Sequence, residues 1–272
     1  MLVRGIGLPA TVTSRGKPAA FAGGAAIGTL GGLIGLGGAE FRLPLLIGAF
    51  RFAALEAVIL NKAMSLVVVA SALPFRMTTV PISAIAAHWP IILNLLAGSL
   101  LGAWFGAGWA MRLASHTLHR VIAGLLVAIA VALLFGHNPI ASEAVTTGAA
   151  LAIAGAFAGF VIGVVAALLG VAGGELLIPT LLLLYGVDIK LAGSLSLVVS
   201  LPTMIVGFAR YTQDRSFAVL GHNRVFVLAM AAGSIAGTFI GGQLLGWVPS
   251  AILLPALAAI LVASAIKVWR HK

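Results

Sequence analysis

Two glutamates and one lysine stand where apolar side chains are otherwise the rule. Glu40 falls in the run Gly35-Leu36-Gly37-Gly38-Ala39-Glu40-Phe41-Arg42-Leu43-Pro44, and Glu175 in Gly170-Val171-Ala172-Gly173-Gly174-Glu175-Leu176-Leu177-Ile178-Pro179. Only six acids occur in the whole chain, so two of them in matching glycine-to-proline settings point to chemistry. An ionised carboxylate in the middle of an apolar segment costs at least about 2.5 kcal/mol, which makes it functional by default. One reading is a pair of protonatable sites that couple proton movement to solute movement. The plainer reading is a cap on the free amides of a short helix starting near each glutamate.

The surrounding residues suit an anion. Glycine lets the backbone turn its amides toward a ligand, and the first turn of a helix carries partial positive charge. Gly37, Gly38, Ala39, Gly173 and Gly174 are therefore candidate anion contacts, close helix packing through small residues being the alternative. Lys62 is a lone cation inside an apolar run, with Asn61 beside it and Ser65 one turn on. It suits a counter-charge for the solute or a partner for Glu40, or else it snorkels to the nearer interface. Ser196 and Ser200 repeat the four-residue spacing of Asn61 and Ser65, which puts each pair on one helical face. Arg42 can join the same cavity. Arg51 reads as an interfacial anchor, as does His88 with Trp89 and Pro90, while Arg210 and Tyr211 read as lying at the cytoplasmic surface.

These residues need a scaffold, and composition specifies it. The chain has 272 residues, of which 61% are hydrophobic and 8% charged, with mean hydropathy +1.18. That is far from a soluble domain. At roughly 20 apolar residues per crossing, the length accommodates about eight to ten segments. There is no Cys, which excludes disulfides and thiolate chemistry, and the six His show no HxxxH or HxxE spacing for a metal. The net charge of +10 comes from Lys and Arg set singly between apolar runs, which fits topology better than nucleic-acid binding. Residues 1–18 carry Arg4, Arg15 and Lys17 without an A-x-A cleavage pattern, so the run that follows is expected to be a retained first helix.

The chain also matches itself, without a gap, when its second half is laid on its first with Gly159 over Gly24. In that alignment Gly24, Gly28, Leu33, Gly35, Gly38, Glu40, Pro44 and Leu46 fall on Gly159, Gly163, Leu168, Gly170, Gly173, Glu175, Pro179 and Leu181. Ala97-Gly98-Ser99 with Gly102 and Gly106 falls on Ala232-Gly233-Ser234 with Gly237 and Gly241. Each unit reads as five apolar segments: 19–37, 41–51, 53–74, 85–110 and 118–136, then 145–171, 176–186, 189–209, 217–246 and 250–269. The expected fold is an all-α integral membrane protein of two inverted repeats, 19–136 and 145–272. A cytoplasmic segment 1–18 precedes them and an external linker 137–144 joins them. Arg112, Arg120, Arg210, Arg215, Lys267, Arg270 and Lys272 then share the cytoplasmic side with both termini, and Arg76 and Lys190 are the exceptions outside. Two inverted halves give an alternating-access scaffold. The second segment of each unit is too short to span and makes a glycine-broken hairpin with its predecessor.

On the two motifs at 35–44 and 170–179 the chain resembles the TauE/SafE family of sulfite exporters, with Ala39 and Ala172 replacing glycines of the fuller family pattern. The resemblance covers nearly everything beyond residue 18. It implies a bacterial inner-membrane permease for sulfite or an organosulfonate, exporting the anion with protons as coupling ion. No cofactor is implied. The expected partners are the anion, protons and the lipid bilayer, and a homodimer is compatible with the arrangement. An uptake carrier or channel for another small anion, such as a carboxylate, is the competing transport reading. A non-transporting scaffold lacks the soluble loops it needs, and an intramembrane enzyme lacks GxSxG, paired membrane aspartates and HExxH.

Overall fold

The computed structural model describes residues 16–34, 39–76, 80–118, 120–122, 124, 125, 127 and 148–244. All regular structure among them is helical, as a bilayer requires when every backbone amide and carbonyl must be satisfied within the chain. In order come α1 (Gly16–Ile34), α2 (Ala39–Gly48), α3 (Ala54–Arg76), α4 (Ile82–Ala87), α5 (Trp89–Arg112), α6 (Gly148–Leu169), α7 (Gly174–Tyr185) and α8 (Ile189–Tyr211). A 3-10 turn (Arg215–Ala218), α9 (Val219–His222) and α10 (Arg224–Leu244) follow. Among the described residues, α3, α5, α6, α8 and α10 contain the five spans long and apolar enough to cross a membrane.

Their outward faces carry Leu101, Phe105, Ile153, Phe157, Leu228 and Ile240 to the exterior, which only lipid tolerates at this density. Trp89 and Trp109 are both exposed near opposite ends of α5. Their separation along the helix is about 30 Å, the thickness of the hydrocarbon core, which is where amphipathic rings settle at the two interfaces. The protein is a multi-pass membrane protein.

Helix directions follow from who meets whom. Gly24 of α1 packs on Met230 of α10, Gly28 on Ser234 and Gly32 on Thr238, so α1 and α10 run parallel. Gly98 of α5 packs on Ala156 of α6, Gly102 on Phe160 and Gly106 on Val164, so these also run parallel. At Gly28 and Gly163 any side chain would collide with a backbone carbonyl oxygen, of Ser234 and Ser99 respectively. The contact of Gly28 with Ser234 recurs at the repeat-equivalent positions as Gly163 with Ser99, and that of Gly233 with Phe21 recurs as Gly98 with Ala156. Helices α3 and α8 cross the other way: Lys62 meets Gly207 near one end and Arg76 meets Gly193 near the other. Phe75 stacks edge-on with Phe239 at 5.5 Å, and Phe52 lies 5.7 Å from Phe226, which makes α10 parallel to α3. Ser99 bonds Thr203, and Gly108 lies beside Arg210, which makes α8 parallel to α5. Helices α1, α3 and α10 thus point one way, and α5, α6 and α8 the other.

The two short helices, of 10 and 12 residues, rise only about 15 and 18 Å. Helix α7 doubles back along α6, since the Tyr185 hydroxyl at its end reaches Gly155. Helix α2 does the same along α1, with Leu45 against Gly23.

Two expected segments are divided. Residues 85–110 are α4 and α5, because the turn at His88 and Pro90 starts a new helix. The expected segment 217–246 is a 3-10 turn, α9 and α10 as far as residue 244, with Asp214 capping the first of these through Ser216 N at 2.8 Å. Residues 1–15, the linker 137–144, the segment 250–269 and most of 118–136 lie outside the described residues.

Candidate functional site

Helix α6 stops at Leu169 because the chain turns through Gly170 (φ 66°) and Gly173 (φ 82°), left-handed positions that glycine alone adopts without strain. Within the turn Val171 N donates to Ala166 O and Gly170 N to Ala167 O, each at 3.0 Å, while the carbonyls that follow need donors from elsewhere inside the protein. Side chains from α3 donate to Leu169 O, Gly170 O and Val171 O, and side chains from α3 and α8 add a second donor to Ala166 O and Ala167 O. Asn61 Nδ2 donates to Leu169 O at 3.0 Å, Lys62 Nζ to Ala166 O at 3.1 Å and Val171 O at 3.4 Å, and Ser65 Oγ to Gly170 O at 3.5 Å. Tyr211 OH donates to Ala167 O at 2.8 Å. Arg42, from α2, joins the group through Asn61 Oδ1 at 3.4 Å and Ser65 Oγ at 3.2 Å.

Three of the residues singled out from sequence, Asn61, Lys62 and Ser65, therefore meet Arg42 at one place, the break in the second hairpin. Lys62 is wholly buried, so the snorkelling reading does not hold. Its ammonium faces the carbonyl end of α6, where the helix dipole favours a cation. Gly207 makes room for it: a Cβ there would lie 3.2 Å from Lys62 Cε and 3.4 Å from Nζ.

Gly173 and Gly174 form the turn into α7, and Glu175 lies in its first turn. Glu175 is 1% exposed and neither of its oxygens has a hydrogen-bond partner among the described residues. It is not a side-chain cap, since no such bond is made at the start of α7. In the first half, Ala39 begins α2 and Glu40 follows it. Gly37, Gly38 and the side chain of Glu40 lie outside the described residues. Ser196 and Ser200 are buried, but Ser196 donates to Gly193 O of its own helix at 2.9 Å, and Ser200 Oγ meets no partner among the described residues. The two repeat-equivalent polar faces are thus used differently.

Tyr211 does not lie at the surface as its place at a helix end suggested. It is wholly buried and holds α8 against α6. Arg210 does stay at the rim, 4.6 Å above the Trp104 ring and bonded to Gln213. Arg76 ends α3, away from the face where α1 begins, and is buried there. Sequence reading also missed the Ser99–Thr203 bond at 2.7 Å, which ties α5 to α8 beside the same seam. The signal was present in the i, i+4, i+8 spacing of Thr203, Gly207 and Tyr211.

Among the described residues, the buried charges are Arg42, Lys62, Arg76 and Glu175, three cations to one carboxylate. No three His, Cys, Asp or Glu side chains among them come together to hold a metal. The arrangement can offer positive charge and directed donors to a small oxyanion. A helical multi-pass protein with a cation-lined break inside its bundle has the build of a membrane transporter. The family model for sulfite exporter TauE/SafE matches residues 14–268, and the chain belongs to that family of membrane transporters. No curated protein and no solved structure matches the chain at a significant level.

Proposed function

We propose that this protein is a secondary transporter that exports a small anion, sulfite or an organosulfonate, across the bacterial inner membrane by alternating access, with protons as coupling ion. The observation that carries this reading is the gathering of two wholly buried cations, Arg42 and Lys62, at the break in the second hairpin. A buried charge that serves only packing is costly and replaceable by an apolar side chain. A charge kept at membrane depth beside an unwound segment marks a solute path.

In this reading the anion binds between Lys62, Arg42, Asn61 and Ser65 on one side and the backbone at Gly173 and Gly174 on the other. Gly37, Gly38, Ala39, Ser196 and Ser200 supply the contacts of the other half. Glu175 and Glu40 carry the protons. As an acid, a side chain without partners rests in an apolar interior at low cost; as a carboxylate it needs the water that an opened cavity brings. The opposed directions of α3 and α8, of α5 and α10, and of α1 and α6 support two inverted halves. The termini are assigned to the cytoplasm, since Lys17, Arg51, Arg112, Arg210, Arg215 and Arg224 gather at the face where α1 begins.

The test is sulfite and sulfonate flux in proteoliposomes under an imposed pH gradient, comparing the native chain with Lys62→Ala, Glu40→Gln and Glu175→Gln. Saturable flux driven by the gradient and lost in the variants supports the reading. Native protein that moves none of these anions overturns the substrate, and glutamine variants that still follow the gradient overturn the proton carriers.

A further inference from the structure

Helix α3 carries two buried cations rather than one. Lys62 lies near the start of the helix and Arg76 ends it, and the glycines they meet on the antiparallel α8, Gly207 and Gly193, are separated by the same interval. The two sites are about 21 Å apart along the seam. At the far one, Arg76 Nε donates to Ser194 Oγ at 3.4 Å, and a Cβ placed on Gly193 would lie 2.6 Å from Arg76 Nη2. Arg76 is 3% exposed although it ends its helix, where a long basic side chain normally reaches out to the interface. Here it turns inward, against Gly193, whose missing side chain leaves room for the guanidinium.

Neither cation has a basic counterpart in the second repeat, where Leu197 and Tyr211 stand at the equivalent positions. The duplicated scaffold therefore does not require a cation at either place. A guanidinium with a serine hydroxyl beside it is the donor set that reads a planar or pyramidal oxyanion, with two parallel N–H bonds and a third from the hydroxyl.

We infer that Arg76, Ser194 and the backbone at Gly193 form a second station for the transported oxyanion, at the end of the α3–α8 seam opposite Lys62. This rests on the transport reading above and deepens it. The anion meets Lys62 when the path opens at the face where α1 begins, and Arg76 when it opens at the other face.

The two stations are separable by the side from which the anion is offered. Sulfite exchange is measured in right-side-out and everted membrane vesicles for the native chain, Arg76→Gln, Arg76→Lys, Gly193→Ala and Lys62→Met. Loss of a charge-assisted contact predicts a half-saturating concentration raised about tenfold for Arg76→Gln from the Arg76 face only. Gly193→Ala, which displaces the guanidinium, shifts it in the same direction, and Arg76→Lys recovers part of it. A purely structural role would instead lower the maximal rate from both faces with unchanged half-saturation, which overturns the inference. Unchanged kinetics from both faces in all three Arg76 and Gly193 variants overturn it too. Absence of sulfite exchange in the native chain sinks the transport reading itself, a result distinct from either.

Discussion

Replacing Lys62 by Met separates a residue kept for its charge from one kept for its packing. Methionine retains the length of the side chain and loses the ammonium, together with its bonds to Ala166 O and Val171 O. Ala166 O keeps its bond from Val171 N at 3.0 Å, so one carbonyl, Val171 O, loses its donor inside the protein, at a cost of about 1–3 kcal/mol. Against this, the variant no longer buries a charge, whose effective desolvation penalty is several kcal/mol. The terms have opposite sign and similar size, so the net change in stability is within about 2 kcal/mol. The other half of the molecule shows that an apolar residue is accommodated here, since Leu197 occupies the equivalent position and is itself buried. Lys62→Ala is the poorer probe because it adds a cavity worth about 2–5 kcal/mol. The assay pairs thermal unfolding in detergent with sulfite flux on the same preparation. Lys62→Met is expected to unfold close to the native temperature and to move no sulfite. A variant that transports at the native rate, or that unfolds far below native with transport per folded molecule intact, refutes the reasoning and leaves Lys62 as a helix cap.

Other consequences are measurable in the same preparations. Gly28→Ala and Gly163→Ala each drive a methyl into a backbone carbonyl oxygen, of Ser234 and Ser99. Both are expected to cost more than about 2 kcal/mol, and by similar amounts, as overpacking of a tight helix contact does; thermal scans of the two side by side check this. Tyr211→Phe removes one of two donors to Ala167 O, which keeps its bond from Gly170 N, and is expected to cost about 0.5–1.5 kcal/mol, seen as a lowered unfolding temperature with the substrate half-saturation unchanged. Glu175→Gln breaks no hydrogen bond among the described residues, so it is expected to unfold at or above the native temperature while its flux no longer responds to the pH gradient.

The sequence carried the longitudinal information and little of the lateral. The matching motifs at 35–44 and 170–179 located both short helices to within a turn, because glycine before and proline after are local signals. The contacts of Gly28 with Ser234 and of Gly163 with Ser99 fall at positions that the self-match of the sequence aligns. What hydropathy could not convey is which side chain crosses to which helix. Tyr211 and Arg76 both sit at helix ends, a position that reads as interface, yet each is drawn inward by a carbonyl or a hydroxyl on a neighbouring helix. Lys62 left three readings open for the same reason: the carbonyls that fix it belong to residues far along the chain, Ala166 and Val171. The split of 85–110 at His88 was legible in Pro90, which favours the first turn of a new helix.

The measurement that bears most directly on the central claim is counterflow: vesicles holding the reconstituted protein are loaded with unlabelled sulfite and diluted into labelled sulfite at equal pH on both sides. A carrier with its anion site at the α6 break produces a transient overshoot of label in the native protein and none in Lys62→Met. No overshoot in the native protein, or an equal one in Lys62→Met, contradicts the account.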